Sequence, residues 1–372
     1  MRTSLVLSTA AALLAATALG ATAPLPAPAP APAPAPAHYP AKPLSGLRVL
    51  LSNDDSMQAA KAANSDGLGL YELRRAMCAA GADVVVMAPW QVQSGKGTAV
   101  TNGGTLTVQR RTAAELPAGY ADDCASAPAR GAVFGVCVSA GPCEKDTPSA
   151  TPADTVKLAL RGGLRAKAGW PDAPDLVLTG INSGPNVSAN VNDSGTVGAA
   201  VAAIDQGVPA VAFSSSGDAT NTYFPRENYR AHAEFGARFV AGLRARSLLT
   251  PAFALKVDYP DVSAGRRAKA PVWTRVGDGA VAYHAYRQRG GGDSFDITLG
   301  LCPADGGDGG SEGGGEGECA EGRADADSTW LLGKGHVTVA PITWDRTYGT
   351  PVDARRTLRR IEHYVTYEAP RS

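Results

Sequence analysis

Two adjacent carboxylates, Asp54 and Asp55, close the run LRVLLSNDD at Leu47–Asp55. Neighbouring acids repel one another unless a proton or a cation sits between them. A divalent metal site is one reading of the pair. The other is a plain turn, for which Asn53 and the two acids are equally suited. Two more oxygen-bearing residues occupy similar places. Ser94 lies in the loop PWQVQSGKG, Pro89–Gly97, and Asn182 follows the apolar stretch DLVLTG, Asp175–Gly180. Carboxylate, hydroxyl and amide oxygens suit a hard cation such as Mg²⁺ or Mn²⁺. The histidines His38, His232, His284, His336 and His363 form no metal-spaced motif, and no CxxC pair has zinc-site spacing.

A further feature is Asp193-Ser194-Gly195-Thr196, just ahead of an Ala-rich helix. A helix start with free N–H groups and hydroxyls is an anion site, with phosphate its usual kind of occupant. The same residues also make an ordinary N-cap. A hard cation beside a phosphate-binding helix start is the layout of a phosphoester hydrolase. Phosphatases that form an aspartyl-phosphate on a first strand use Asp-x-Asp, and here the acids are adjacent. The cysteines have no paired histidine, which argues against a thiol nucleophile.

These residues need elements to hold them. Val49, Leu50 and Leu51 read as a strand buried on both faces. Ser65 or Asp66 caps a helix with Leu70, Leu73 and Met77 at helical spacing, and Asp83–Ala88 is the next buried strand. That is a βαβ unit, so the sheet is parallel there. Thr105–Val108 and Ala132–Val138 are β-like. A helix starts at Pro152, strands follow at Asp175–Gly180 and Val208–Ser214, then a helix at Asn228–Arg246 and a strand at Ala252–Val257. Strands alternating with helices predict a Rossmann-like, doubly wound α/β fold with a mostly parallel sheet. In such sheets the strand tips share one edge, so Asp54, Asp55, Ser94 and Asn182 can converge. After Tyr259 the character changes. Val272–Val276, Val281–Tyr286, Phe295–Leu301 and His336–Ala340 suggest C-terminal β-hairpins projecting from the core, before a last helix at Val352–Val365.

The chain has 372 residues and a net charge of zero, which offers no electrostatic footprint for a nucleic acid polymer or an anionic membrane. Arg2, the apolar run Leu5–Leu19 and the small residues Gly20, Ala21 and Ala23 resemble a secretory signal peptide, with an uncleaved anchor as the alternative. Export to a secreted or periplasmic location is expected, with no membrane attachment after cleavage. The expected organisation is a signal peptide at 1–23 and a Pro/Ala-rich linker at 24–43. The α/β core then covers 44–260. The hairpins and terminal helix at 261–372 belong to the same domain and include a Gly-rich insert at 303–322. Cysteines in an exported chain suggest disulfides. Cys302 and Cys319 bracket the insert, two of Cys124, Cys137 and Cys143 are close enough to pair, and Cys78 reads as a buried free thiol.

The blocks LRVLLSNDD, APWQVQSGKGTAVT, SATPADTVKLAL, PDLVLTGINSGPN and SGTVGAAVAAIDQGVPAVAFS resemble, in order, the SurE family of survival-protein nucleotidases; GHVTVAPI, Gly335–Ile342, is a weaker match. The resemblance implies a metal-dependent phosphatase acting on nucleoside 5′- and 3′-monophosphates. It implies metal ligands at Asp54, Asp55, Ser94 and Asn182, with the two acids at the catalytic centre. It places phosphate contacts at Asn186, Ser194, Gly195 and Thr196, and it implies a homodimer or homotetramer built through the C-terminal hairpins. There are departures. The family usually has Gly where Ser56 stands, the residues around Met57–Asn64 lengthen the following loop, and the family's SGTG is SGKG here. Lys96 is thus either a phosphate contact or a solvated loop charge. Two other functions remain compatible with the pattern: a broad acid phosphatase or polyphosphatase, and a non-catalytic nucleotide-binding protein on the same fold.

Overall fold

The computed structural model describes residues 42–302, 323–344 and 354–371. The signal-like segment, almost all of the Pro/Ala linker and the whole Gly-rich insert, with Cys319, lie outside the described residues.

In chain order the strands are β1 (Arg48–Ser52), β2 (Asp83–Pro89), β3 (Leu106–Arg110), β4 (Val133–Val138), β5 (Leu176–Ser183), β6 (Ala210–Ser215), β7 (Ala254–Tyr259), β8 (Lys269–Trp273), β9 (Ala282–Gln288), β10 (Phe295–Leu301) and β11 (His336–Ile342). The helices are α1 (Leu68–Ala79), α2 (Pro152–Leu158), α3 (Leu164–Ala168), α4 (Gly195–Asp205), α5 (Arg226–Ala245) and α6 (Ala354–His363). One sheet runs β3-β4-β2-β1-β5-β6-β7-β11-β8. Its centre, β4 to β7, is parallel throughout, while β3 and β11 pair antiparallel with their neighbours β4 and β7. This is the expected doubly wound, mostly parallel fold.

Alternation along the strands sends side chains to opposite faces. Val49, Leu51, Val84 and Val86 join Leu70, Leu73, Phe235 and Phe239 of α1 and α5 in one core. Leu50, Val85, Met87 and Val177 join Val156, Val197, Ala200 and Ile204 of α2 and α4 in the other. Both faces of β1 are therefore covered, which is why its apolar run shows no alternation.

Several expectations need correction. The C-terminal strands do not all project as hairpins: β8 and β11 extend the main sheet, and only β9 and β10 form a separate antiparallel pair. Val337, Val339 and Ala340 of β11 are buried, so this strand gains more by packing beside β7 than by standing free. Neither Ser65 nor Asp66 caps α1, whose N-cap is Gly67. The Asp66 carboxylate instead accepts the Ala60 and Lys61 N–H groups, at 2.7 and 2.9 Å, and closes the longer loop before the helix. The helix from Pro152 breaks at Gly162, where φ is +142°. Cys78 is not a free thiol: it bonds Cys124 and ties α1 to the loop after β3. Cys137 bonds Cys143, as proximity suggested, and Cys302 is also disulfide-bonded.

Candidate functional site

The chain adds β2, β3 and β4 on one side of β1, then returns to place β5 on the other. The β1/β5 boundary is thus the point where strand order reverses, and ligand crevices in open α/β sheets form there. β1 stops at Ser52, so Asn53, Asp54 and Asp55 stand in the turn just past its tip. β5 continues past Gly180 through Asn182 and Ser183. The acids and Asn182 therefore meet at this boundary.

Asp54 and Asp55 are each 2% exposed. Asp55 Oδ2 accepts the Ser183 N–H at 2.7 Å and, more weakly, Asn53 Nδ2 at 3.4 Å. Asp54 Oδ1 accepts the Thr196 hydroxyl, and the N–H groups of Gly195 and Thr196 also favour its charge. Among the described residues no Lys, Arg or His forms an ion pair with either acid. Burial raises the Asp54 carboxyl despite the opposing Thr196 hydrogen bond. Burial, and then the Asp54 charge, push Asp55 up to about 7.

Helix α4 reaches this pair because its first residues are small. A Cβ on Gly195 would stand 2.7 Å from Asp54 Cβ, and one on Gly198 would stand 1.8 Å from the Gly97 carbonyl oxygen. Ser194 is the N-cap, its Oγ accepting the Val197 N–H at 3.1 Å. The capping reading therefore holds for Ser194, while its hydroxyl proton remains for another acceptor. The Thr196 hydroxyl is committed to Asp54 and not displayed to a ligand. The helix start thus faces an anion, and in this structure that anion is Asp54 itself.

The other expected residues reach the same edge by different routes. Asn182, nearly buried, donates Nδ2 to the Gly184 carbonyl at 2.8 Å, which leaves Oδ1 as its acceptor atom. Asn186 donates its N–H to Asp258 Oδ1 and its Nδ2 to Ser214 Oγ, each at 2.7 Å. Ser214 is the β6 partner of Asn182, so both amides sit on neighbouring strand ends. Ser94 and Lys96 are exposed. Their loop is anchored by Gln93 N–H donating to the Asp54 carbonyl at 2.7 Å and Gly97 N–H donating to the Asp193 carbonyl at 2.9 Å.

Among the described residues no three His, Cys, Asp or Glu side chains come together. A cation here would draw on two carboxylates and on neutral oxygens such as Asn182 Oδ1. Two buried carboxylates without a cationic partner, beside neutral oxygens, fit a hard divalent ion. Ser56 takes a left-handed φ of +71°, which explains why glycine suits that position. The residues around Met57–Asn64 form a docked loop, whose Asn64 carbonyl accepts the Tyr229 hydroxyl at 2.8 Å.

Sequence reasoning saw Asn53 but not its bond to Asp55, and it missed Ser183, which also binds Asp55, and the fully buried charges Lys256, Asp258 and Asp327. A signal existed for Lys256 and Asp258: KVD puts a cation and an acid on one face of an otherwise apolar strand. Asp327 is remote in sequence and carried none. Among the described residues, cavities of about 490 Å³ between Ala159 and Ala173, about 770 Å³ between α2 and α4, and about 540 Å³ beside Arg246 and Tyr364 all lie away from Asp54 and Asp55. The paired acids, not the empty volume, mark the site.

The family model described as Survival protein SurE matches residues 49–282, well over half of the chain. A protein named 5′-nucleotidase SurE from Solidesulfovibrio magneticus is 34% identical over 214 residues, 58% of this chain and 65% of its own length. One of the same name from Rubrobacter xylanophilus is 33% identical over 234 residues, 62% of this chain and 72% of its own length. The match thus covers a little under two thirds of the first relative's length. The crystal structure of a SurE protein from Aquifex aeolicus shares the fold, with a TM-score of 0.52 and 23% identity over 85% of this chain and 99% of that one. The strand-tip acids, the capped helix start and the glycines that let them touch all lie inside the matched segment, and the chain belongs to the SurE family.

Proposed function

We propose that this chain is a phosphomonoesterase that hydrolyses nucleoside 5′- and 3′-monophosphates with a divalent cation, Mg²⁺ or Mn²⁺. The observation that carries this reading is the buried Asp54–Asp55 pair at the β1/β5 boundary, which forms no ion pair with a cationic side chain among the described residues. The names of the aligned relatives support the substrate class. Asp54, Asp55, Asn182 Oδ1 and the exposed Ser94 would hold the cation. When bound, it supplies polarisation of the phosphoryl oxygen and activation of water.

The chain's own groups do the rest. Thr196 and the first N–H groups of α4 fix the orientation of Asp54. Asn53 and Ser183 do the same for Asp55. The Ser194 hydroxyl, Asn186 and Lys96 are the donors we assign to phosphate, with the positive end of α4 behind them. Gly195 admits close approach. Thr196 moves from phosphate contact to positioning group.

Export belongs to the same proposal. The N-terminal features are those of a signal peptide, and disulfides suit an oxidising compartment. Among the described residues no helix is long and apolar enough to cross a membrane. We also propose a homodimer or homotetramer joined through the β9–β10 pair, where Phe295, Ile297 and Leu299 are more than half exposed.

The test is phosphate release from AMP, with EDTA and then with added Mg²⁺ or Mn²⁺. Activity abolished by EDTA and restored by metal is expected. Release from an aryl phosphate but not from AMP would replace the nucleotidase reading with a broad phosphatase. No release from either by folded protein would leave a nucleotide-binding protein.

A further inference from the structure

Three charged side chains are fully buried behind the loop that follows β5. Lys256 and Asp258 come from β7, and Asp327 comes from the segment before β11. Lys256 Nζ contacts Asp258 Oδ2 and lies 2.7 Å from Asp327 Oδ2. The other oxygens of the two acids take separate backbone partners. Asp258 Oδ1 accepts the Asn186 N–H at 2.7 Å. Asp327 Oδ1 accepts the N–H groups of Ser188 at 3.0 Å, Ser328 at 2.9 Å and Gly277 at 3.2 Å. The loop between β5 and α4 is thus held at residues 186 and 188 by two carboxylates, both fixed from behind by one ammonium.

Stability alone is a weak reason for this arrangement. Buried ion triads are often no more stabilising than apolar residues of the same volume, because desolvating the charges offsets their attraction. What such a group does well is fix direction. A charged acceptor holds a backbone N–H more strongly than a neutral one. The acceptors here grip the backbone of the residue whose amide meets Ser214 beside Asn182. Ser188 is also fully buried with a left-handed φ of +52°, a conformation that a serine keeps only when its surroundings impose it.

We propose that Lys256, Asp258 and Asp327 are positioning residues that act through Asn186, and that residues after the Gly-rich insert are thereby part of the active site. The inference rests on the reading of Asn186 as a phosphate contact. It makes the segment around Asp327 a functional element, far in sequence from every motif that marks the site.

The experiment is a double-mutant cycle on the metal-loaded full chain, read as kcat/KM for AMP. The triad is neutralised as K256M/D258N/D327N, which keeps shape and leaves carbonyl oxygens for the loop N–H groups. Asn186→Ala is the second arm. Hydrogen exchange at residues 186–188 is followed in parallel and needs no activity. We expect each variant to lose about tenfold or more in kcat/KM, the scale of a small misplacement of a binding group. We expect their combination to lose no more than the worse of the two, since both act on one contact. The neutral triad should exchange faster at 186–188, with β1 and β2 unchanged. Should the triple variant not fold, Asp327→Asn alone is read in the same cycle. Losses that multiply, or unchanged exchange at 186–188, overturn the proposal. If Asn186→Ala keeps full activity, Asn186 is no substrate contact and the positioning role falls with it. A wild-type chain inactive on AMP and on an aryl phosphate would instead remove the parent reading, and the exchange result would then show only whether the triad orders the loop.

Discussion

At Asp55, burial and the neighbouring Asp54 charge both act against ionisation, and the carboxyl rises to about 7 from 3.8. Metal-free protein should register this in two ways. Between those values the folded chain holds a proton that the unfolded chain has lost. The contribution is therefore fully present below about pH 4 and is lost as pH rises through about 7. Thermal melts of EDTA-treated protein should show stability falling across that window, and Asp55→Asn should flatten the slope. A cation must displace the same proton. Metal affinity should accordingly climb up to about tenfold per pH unit below 7 and level off above it, by calorimetry at pH 6, 7 and 8. The same Asp55→Asn variant should lose about 100-fold or more in phosphate release while staying folded, since a preorganised charge is gone. Undiminished turnover would contradict the site assignment.

At the scale of elements, α4 and the loop before β3 work as one unit. Gly198 brings the helix against the Gly97 carbonyl, with no room for a methyl group. Gly198→Ala should displace the Ser94–Gly97 loop, lower activity sharply and reduce the melting temperature, measured on one sample by phosphate release and circular dichroism. Ser194→Ala removes a cap and should cost about 1 kcal/mol in denaturant unfolding. Helix α1 has a different constraint. The Cys78–Cys124 bond closes a long loop, with a sequence separation of 46. Cys78→Ser should destabilise the chain by about 2–4 kcal/mol, with little effect on the strand-tip acids.

For the whole molecule, the proposed assembly can be tested at the exposed β9–β10 face. Alternate residues Phe295, Ile297 and Leu299 share one side of the pair, opposite Gln288, Tyr286 and His284. Charging it, as in I297K/L299K, should shift the species seen by light scattering toward monomer without lowering the melting temperature of the core. An unchanged mass would place the oligomer contact elsewhere or show that none exists. Intact mass of the exported protein tests the N-terminal reading, for which loss of the first 20 or so residues is the expected result.

The core strands were legible because each is a short apolar run that only a doubly covered sheet can bury, and the helices because Leu70, Leu73 and Met77 or Phe235, Phe239 and Leu243 repeat at helical spacing. The site was legible where chemistry and position coincide, as in Asn53-Asp54-Asp55 at a strand end. The sequence by itself therefore determined the α/β class, the strand ends on which the candidate residues gather, and the family. The tertiary structure decided the rest. It sent β8 and β11 into the main sheet, since strand pairing depends on neighbours far along the chain. It joined Cys78 to Cys124 and gave the Thr196 hydroxyl to Asp54. It also gathered Lys256, Asp258 and Asp327 behind Asn186, because a buried charge finds its partner by proximity in space, which no local pattern records.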